Sequence, residues 1–162
     1  MSTIMKTTVK NIGIILLVSA VLAGVANCVH PRKIPWVQKR SDQVEIRAKE
    51  QNQKIIGFAQ AQEKFRALNA LFVDARTAEE FAKGHIPGSV SLPFAHFNGE
   101  EYFMTTFDLV DSGKELVIYC SSRECDDGRL LAAELEMLGC TNVILFIDGF
   151  DGWEKEGGEV EK

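Results

Sequence analysis

Cys120 has the clearest chemical setting in this 162-residue chain. It closes the apolar run ELVIYC (115–120), followed by the polar stretch SSRECDD (121–127) and the leucine-rich GRLLAAELEMLG (128–139). A cysteine at the carboxyl end of a strand and just before a helix amino terminus stands where ligands and catalysis gather in open α/β sheets. The helix dipole and unpaired backbone N–H groups of such a loop favour thiolate over thiol and can cradle an anion. Cys120 is therefore the candidate nucleophile, and Ser121, Ser122, Arg123, Glu124, Cys125 and Asp126 the candidate substrate-binding loop.

The elements that must position this loop alternate in strand and helix character from residue 55 onward, the pattern of an α/β domain with a mainly parallel, five-stranded sheet flanked by helices. Strands are expected at 55–58, 70–76, 89–92, 115–120 and 142–147. Phe58, Ala61, Phe65 and Leu68 recur at helical spacing, as do Leu131, Leu135 and Leu138. Thr77-Ala78-Glu79-Glu80 has the form of a capping box, predicting a short helix that buries Phe81 and stops at Gly84 in a left-handed cap. Asp126 or Asp127 is the expected N-cap of the helix behind the cysteine. DGFDGW (148–153) turns into a short helix burying Trp153, residues 95–113 read as looser chain, and the acidic tail reads as frayed.

Composition bounds the rest. Hydrophobic residues at 46% and charged residues at 25% exclude a disordered chain. The net charge of -5 divides unevenly: residues 1–54 carry nine Lys/Arg against three Asp/Glu (+6), leaving nine against twenty (-11) for residues 55–162. An acidic domain repels nucleic acid, so none is expected as a partner, while the basic part suits anionic head groups. Residues 11–29 contain no charge and as a helix rise about 28 Å, close to a bilayer's hydrocarbon thickness. The expected organisation is a basic tail (1–10), one transmembrane helix (11–30), a basic juxtamembrane stalk (31–54) and the domain (55–162). A cleaved export signal is the alternative to the anchor. Two prolines, Arg32, Lys33 and Trp36 form the flank, and the greater number of cations after the apolar run leans the domain to the cytoplasmic side. The stretch 38–54 reads as a solvated helix or plain spacer, with Glu45 and Lys49 paired at helical spacing.

VDARTAEEFAKGHIPGSVSLP (73–93), VIYC (117–120), AAELEMLGCTNV (132–143) and DGFDGW (148–153), in this order, resemble the rhodanese homology domain across about residues 55–160. The resemblance implies a rhodanese-like sulfurtransferase: Cys120 attacks the outer sulfur of a donor, carries it as a persulfide, and hands it to a thiophilic acceptor. Such chemistry uses a thiolate and fixed loop dipoles, so neither a metal nor an organic cofactor is expected. The partners implied are a small-molecule or protein persulfide donor and a thiol acceptor. In the family the Gly-His-Ile-Pro-Gly run is a structural turn, which makes His85 structural; Asp74 and Arg76 resemble a pair organising the strand ends near the site.

The loop departs from the family's common form. Arg123 stands where Gly is usual and Cys125 where Arg is usual, and the loop is about two residues longer, resembling a Cys-x4-Cys variant. Glu124, Asp126 and Asp127 place negative charge where an anion must dock, which disfavours thiosulfate as donor. Cys125 has two readings: a resolving thiol that closes a disulfide with Cys120, or a filler of a small apolar niche beside the helix. Cys140 is expected in the core. Three functions follow: a membrane-anchored sulfurtransferase, a thiol–disulfide redox protein using Cys120 and Cys125, and a rhodanese-type binding module without turnover.

Overall fold

The computed structural model describes residues 3–29, 40–96 and 100–162. The chain divides into two compact units, Met1–Gln38 and Lys39–Lys162. The first holds helix α1 (Thr3–Val29), which takes in most of the basic tail expected to precede it. Its stretch Thr8–Val29 has a mean hydropathy of 2.5, a length and composition that suit a membrane span and a signal sequence alike. The proline- and tryptophan-containing flank at 30–39 lies outside the described residues.

The second unit runs α2 (Arg40–Glu50), β1 (Lys54–Ile56), α3 (Phe58–Ala67), β2 (Ala70–Asp74), α4 (Ala78–Lys83), β3 (Val90–Ser91), a 3-10 turn (Phe94–His96), α5 (Glu100–Asp111), β4 (Glu115–Tyr119), α6 (Asp127–Met137), β5 (Val143–Phe146) and α7 (Gly149–Lys155). The five strands form one sheet in the order β1-β5-β4-β2-β3, and every pairing is parallel. β4 lies at the centre, so its residues are covered on both faces. Alternate side chains point opposite ways along a strand: Leu116 and Ile118 join Val73, Leu131 and Leu135 on one face, Val117 and Tyr119 join Phe72, Phe146 and Trp153 on the other. Cys140 is buried with the first group.

Several expectations give way to tertiary packing. α2 is a helix, but Val44 and Ala48, one turn apart, are buried with Leu145 and Ile147, so this part of the expected stalk packs on the domain. Two small apolar positions in an otherwise polar helix are too faint a stripe to announce a buried face. Leu68 adopts the left-handed conformation that ends α3 and is 87% exposed, off the apolar face its spacing suggested. Leu138, at the end of α6, also faces out. Residues 95–113 include α5, whose Tyr102 and Leu109 are buried while Phe103, Met104 and Phe107 face solvent; apolar residues on both sides obscure the helical period.

The capping box at α4 forms as expected: Glu80 N–H donates to Thr77 Oγ1 at 3.3 Å and Thr77 N–H to Glu80 Oε2 at 3.1 Å. The helix ends differently. Gly84 has φ 162° and ψ 138°, an extended rather than left-handed conformation, and Phe81 is half-buried, stacked on His85. The acidic tail is not frayed either. Glu161 pairs antiparallel with His85 through two 2.9 Å backbone bonds, and the buried Trp153 donates Nε1–H to the carbonyl of Glu159 at 2.7 Å. Gly158 makes room for this return, since a Cβ there would lie 2.3 Å from the Trp153 ring.

Candidate functional site

The central strand delivers Cys120 to the carboxyl edge of the sheet, 5% exposed, with the loop 121–126 leading into α6. Two N–H groups at the start of α7 hold the loop backbone: Phe150 donates to the Cys120 carbonyl and Asp151 to the Ser121 carbonyl, both at 2.8 Å. Only glycine permits this approach at position 149. Its φ is +66°, and a Cβ would lie 2.7 Å from the Cys120 oxygen and 2.8 Å from the Ser122 nitrogen. Within DGFDGW, Gly149 thus seats the cysteine loop and Trp153 anchors α7 in the core. On the other side, Gly128 in the first turn of α6 packs 3.4 Å from Cys120 Cβ, measured from where its own Cβ would be.

Cys120 and Cys125 are joined in a disulfide, their Cα atoms 6.1 Å apart. Cys125 is therefore at the site and not in a separate niche. Ser122 shapes the turn between them: its carbonyl accepts from Cys125 N–H at 3.1 Å and its hydroxyl from Glu124 N–H at 3.3 Å. Two of the loop amides expected to cradle an anion are thus engaged within the loop.

Charge around the loop is largely paired off. Arg123 donates to Asp148 at 2.9 Å and to Glu45 of α2 at 2.7 Å. Asp126 occupies the N-cap position of α6 but makes no capping bond; its carboxylate accepts from Arg129 at 2.6 and 2.8 Å and from Arg47 of α2 at 3.2 Å. The Arg129 hydrogen bond, with Arg47 adding to it, holds Asp126 below the usual carboxylate range against the opposing effect of burial. Burial and the neighbouring Asp126 and Glu80 push Asp127 the other way. Arg129 also donates to Gln51 at 2.6 Å, and Gln53 donates to the Arg129 carbonyl at 3.0 Å. Hollows of about 630 Å³, lined by Phe58, Ser122, Arg123 and Lys155, and about 410 Å³, lined by Val44, Arg47, Glu124 and Cys125, flank the loop.

Asp74 and Arg76 form a buried pair where β2 ends. Arg76 Nη2 donates to Asp74 Oδ2 at 2.6 Å and to the Gly84 carbonyl at 2.8 Å, and the guanidinium lies 4.0 Å from the centre of the Phe150 ring. Neither residue lines the two hollows. The Tyr119 hydroxyl accepts from Ile86 N–H and meets Ser89 Oγ, and burial raises its pKa. His85 stacks on Phe81 with ring centres 3.8 Å apart and places Nδ1 3.0 Å from the Phe81 carbonyl. These residues form a frame joined to the tail. Glu45 was expected to pair with Lys49, and does, but the contacts of Glu45, Arg47, Gln51, Arg129 and Asp148 around the loop were not expected, because each looks like an ordinary surface residue until its distant partner is known.

A parallel α/β sheet whose central strand ends on a cysteine, cradled between two helix amino termini, defines a class of strand-end thiol proteins. The model of the rhodanese-like domain matches residues 58–156, and the chain belongs to the rhodanese-like family. It is 29% identical over 84 residues to the adenylyltransferase and sulfurtransferase uba4 of Ogataea parapolymorpha, covering 52% of this chain and 20% of that protein, so it spans about a fifth of that relative's length. The BH2092 protein of Bacillus halodurans superposes with a TM-score of 0.60 at 27% identity, over 74% of this chain and 85% of that one. Human single-domain sulfurtransferase TSTD1 shares the fold, with a TM-score of 0.52 at 21% identity over 64% and 97% of the two chains.

Proposed function

We propose that the protein is a membrane-anchored sulfurtransferase that carries sulfane sulfur as a persulfide on Cys120 and resets through Cys125. The observation that carries this reading is the bonded cysteine pair at the carboxyl edge of a rhodanese-like sheet. In the loading step the Cys120 thiolate attacks the outer sulfur of a persulfide donor; the donor's S–S bond breaks and its thiolate leaves. An acceptor thiolate then attacks the outer sulfur and releases Cys120 as thiolate. Alternatively, Cys125 attacks Cys120 Sγ, the persulfide bond breaks, hydrosulfide leaves, and the disulfide forms. A dithiol reductant returns both thiols by supplying two electrons and two protons.

A persulfide donor fits better than thiosulfate. Arg123 is held by Asp148 and Glu45, and the amides of Glu124 and Cys125 are engaged, so little remains to bind a dianion beside Glu124 and Asp127. The apolar length of α1 supports a single-pass anchor, and the cation count leans the domain to the cytoplasmic face. The bonded pair also favours the redox reading as a second function, in which Cys120 and Cys125 exchange electrons with a partner dithiol without sulfur.

Intact mass spectrometry of the reduced full chain in detergent, after glutathione persulfide, separates these readings. The expected result is gain of one sulfur, then its loss as hydrosulfide to leave the chain two hydrogens lighter than the reduced form, with one retained sulfur in Cys125→Ser and none in Cys120→Ser. Loading that survives Cys120→Ser would overturn sulfur carriage at this residue. Disulfide closure without a loaded intermediate would leave the redox reading.

A further inference from the structure

The loop that disfavours anions has the opposite property toward cations. Sγ of Cys120, Sγ of Cys125 and a carboxylate oxygen of Asp127 all lie within 4.8 Å of one another. We infer that the reduced loop is a three-ligand site for a thiophilic divalent cation of the zinc class, formed by Cys120, Cys125 and Asp127. In a tetrahedral site with Zn–S bonds of about 2.3 Å, two thiolates stand about 3.8 Å apart. Breaking the S–S bond and a small separation of the sulfurs in a five-residue loop reaches that spacing. The Asp127 oxygen is already within reach.

Three further features fit a cation. Asp127 is half-buried and adjoins Asp126, a second carboxylate, at the start of α6. The arginines around the loop are committed elsewhere: Arg123 to Asp148 and Glu45, Arg129 and Arg47 to Asp126. Finally, Cys120 is buried while Cys125 and Asp127 are half-exposed, which leaves the fourth tetrahedral position open to water on the outer side.

Binding takes both sulfurs as thiolates and displaces any proton they still carry. The disulfide excludes the cation, because neither sulfur is then a thiolate, and a dithiol reductant that opens the bond creates the site. A bound cation occupies the nucleophile, so cation and sulfur compete for Cys120. The site needs only a reducible disulfide and goes beyond the sulfur-transfer reading without depending on it.

The test is a titration of the full chain in detergent, carrying Cys28→Ser and reduced with a non-chelating phosphine, with Cd²⁺ followed through its thiolate charge-transfer absorption. One Cd²⁺ per chain is expected, with the intensity of two thiolates, displaced by Zn²⁺ and absent from the oxidised chain. Cys125→Ser is expected to weaken binding at least a hundredfold, and both Asp127→Asn and Asp127→Ala about tenfold, with unchanged circular dichroism. No binding by the reduced chain, equal binding by the oxidised chain, or full affinity in both Asp127 variants would overturn the site. Cd²⁺ binding without persulfide loading would count against sulfur transfer alone, and loading without Cd²⁺ binding against the cation site alone.

Discussion

Two strands end at the same edge of the sheet, and the chain treats their ends oppositely. Beyond β2, Asp74 and Arg76 are 0% and 6% exposed, and their partners are the Gly84 carbonyl and the Phe150 ring. Beyond β4, Arg129 is also buried against Asp126, but Arg123 and Arg47 are exposed, and their contacts reach across 78 and 79 residues to join the loop to α2. A buried pair in low dielectric holds a frame, because neither charge has water to fall back on. Solvated pairs contribute little energy but fix where a loop sits. Cys120, the proposed nucleophile, is on the second kind of strand end, and Phe150 links the two, its N–H on the Cys120 carbonyl and its ring against Arg76.

The largest test of this contrast is Arg76→Ala against Arg123→Ala. Leaving Asp74 buried and unpaired should cost about 3–5 kcal/mol in thermal or denaturant unfolding, whereas losing the surface pairs of Arg123 should cost no more than about 1 kcal/mol. Equal losses would remove the distinction between frame and loop.

Gly149→Ala tests the seam between the regions. Its Cβ would press on the Cys120 carbonyl at a backbone conformation unsuited to alanine, so a loss of about 1–3 kcal/mol is expected together with slower persulfide loading. Loading at the normal rate would show that the loop does not depend on α7 for its shape.

Smaller effects should appear when α2 alone is loosened. Glu45→Gln, which weakens the contact to Arg123, should leave the unfolding temperature nearly unchanged but raise hydrogen exchange in residues 121–126. Exchange confined to α2 would mean that the helix covers the loop without positioning it. Acidification should act in the same direction. The Lys49 hydrogen bond, then Arg123, holds Glu45 below its ordinary pKa against burial. Its stabilising contribution is therefore present above the ordinary carboxylate range and disappears as pH falls through the depressed value. Exchange in the loop should rise only below about pH 4.5, and a rise at neutral pH would assign the effect to another group.

Much of this contrast was legible in the chain. The run ELVIYC placed Cys120 at the end of a central strand, Thr77 and Glu80 announced the start of α4, and the Asp-x-Arg pair was recognisable as structural. Less legible were the burial of α2 through Val44 and Ala48, the helix in 100–111, the outward turn of Leu68, and the return of the tail to His85. The helices and the tail lack a strong local period or a capping signal, and Leu68 continues a period that the left-handed end of α3 cuts short. The pairing of Cys125 with Cys120 was one of two open readings, since spacing permits a disulfide without requiring one.

By itself the sequence determined what depends on neighbours within a few residues: strand and helix character, a capping box, an apolar segment long enough for a membrane, and a cysteine at a strand end. Tertiary structure alone decided which charges meet. Nothing local sets Arg123, Arg47 and Arg129 apart from other cations, and they become the ties of the Cys120 loop only because parallel strand order brings β1, β5 and β4 side by side and α2 comes to lie against β1 and β5. Side-chain contacts of this kind join residues nearly eighty positions apart, a range at which periodicity and propensity carry no information.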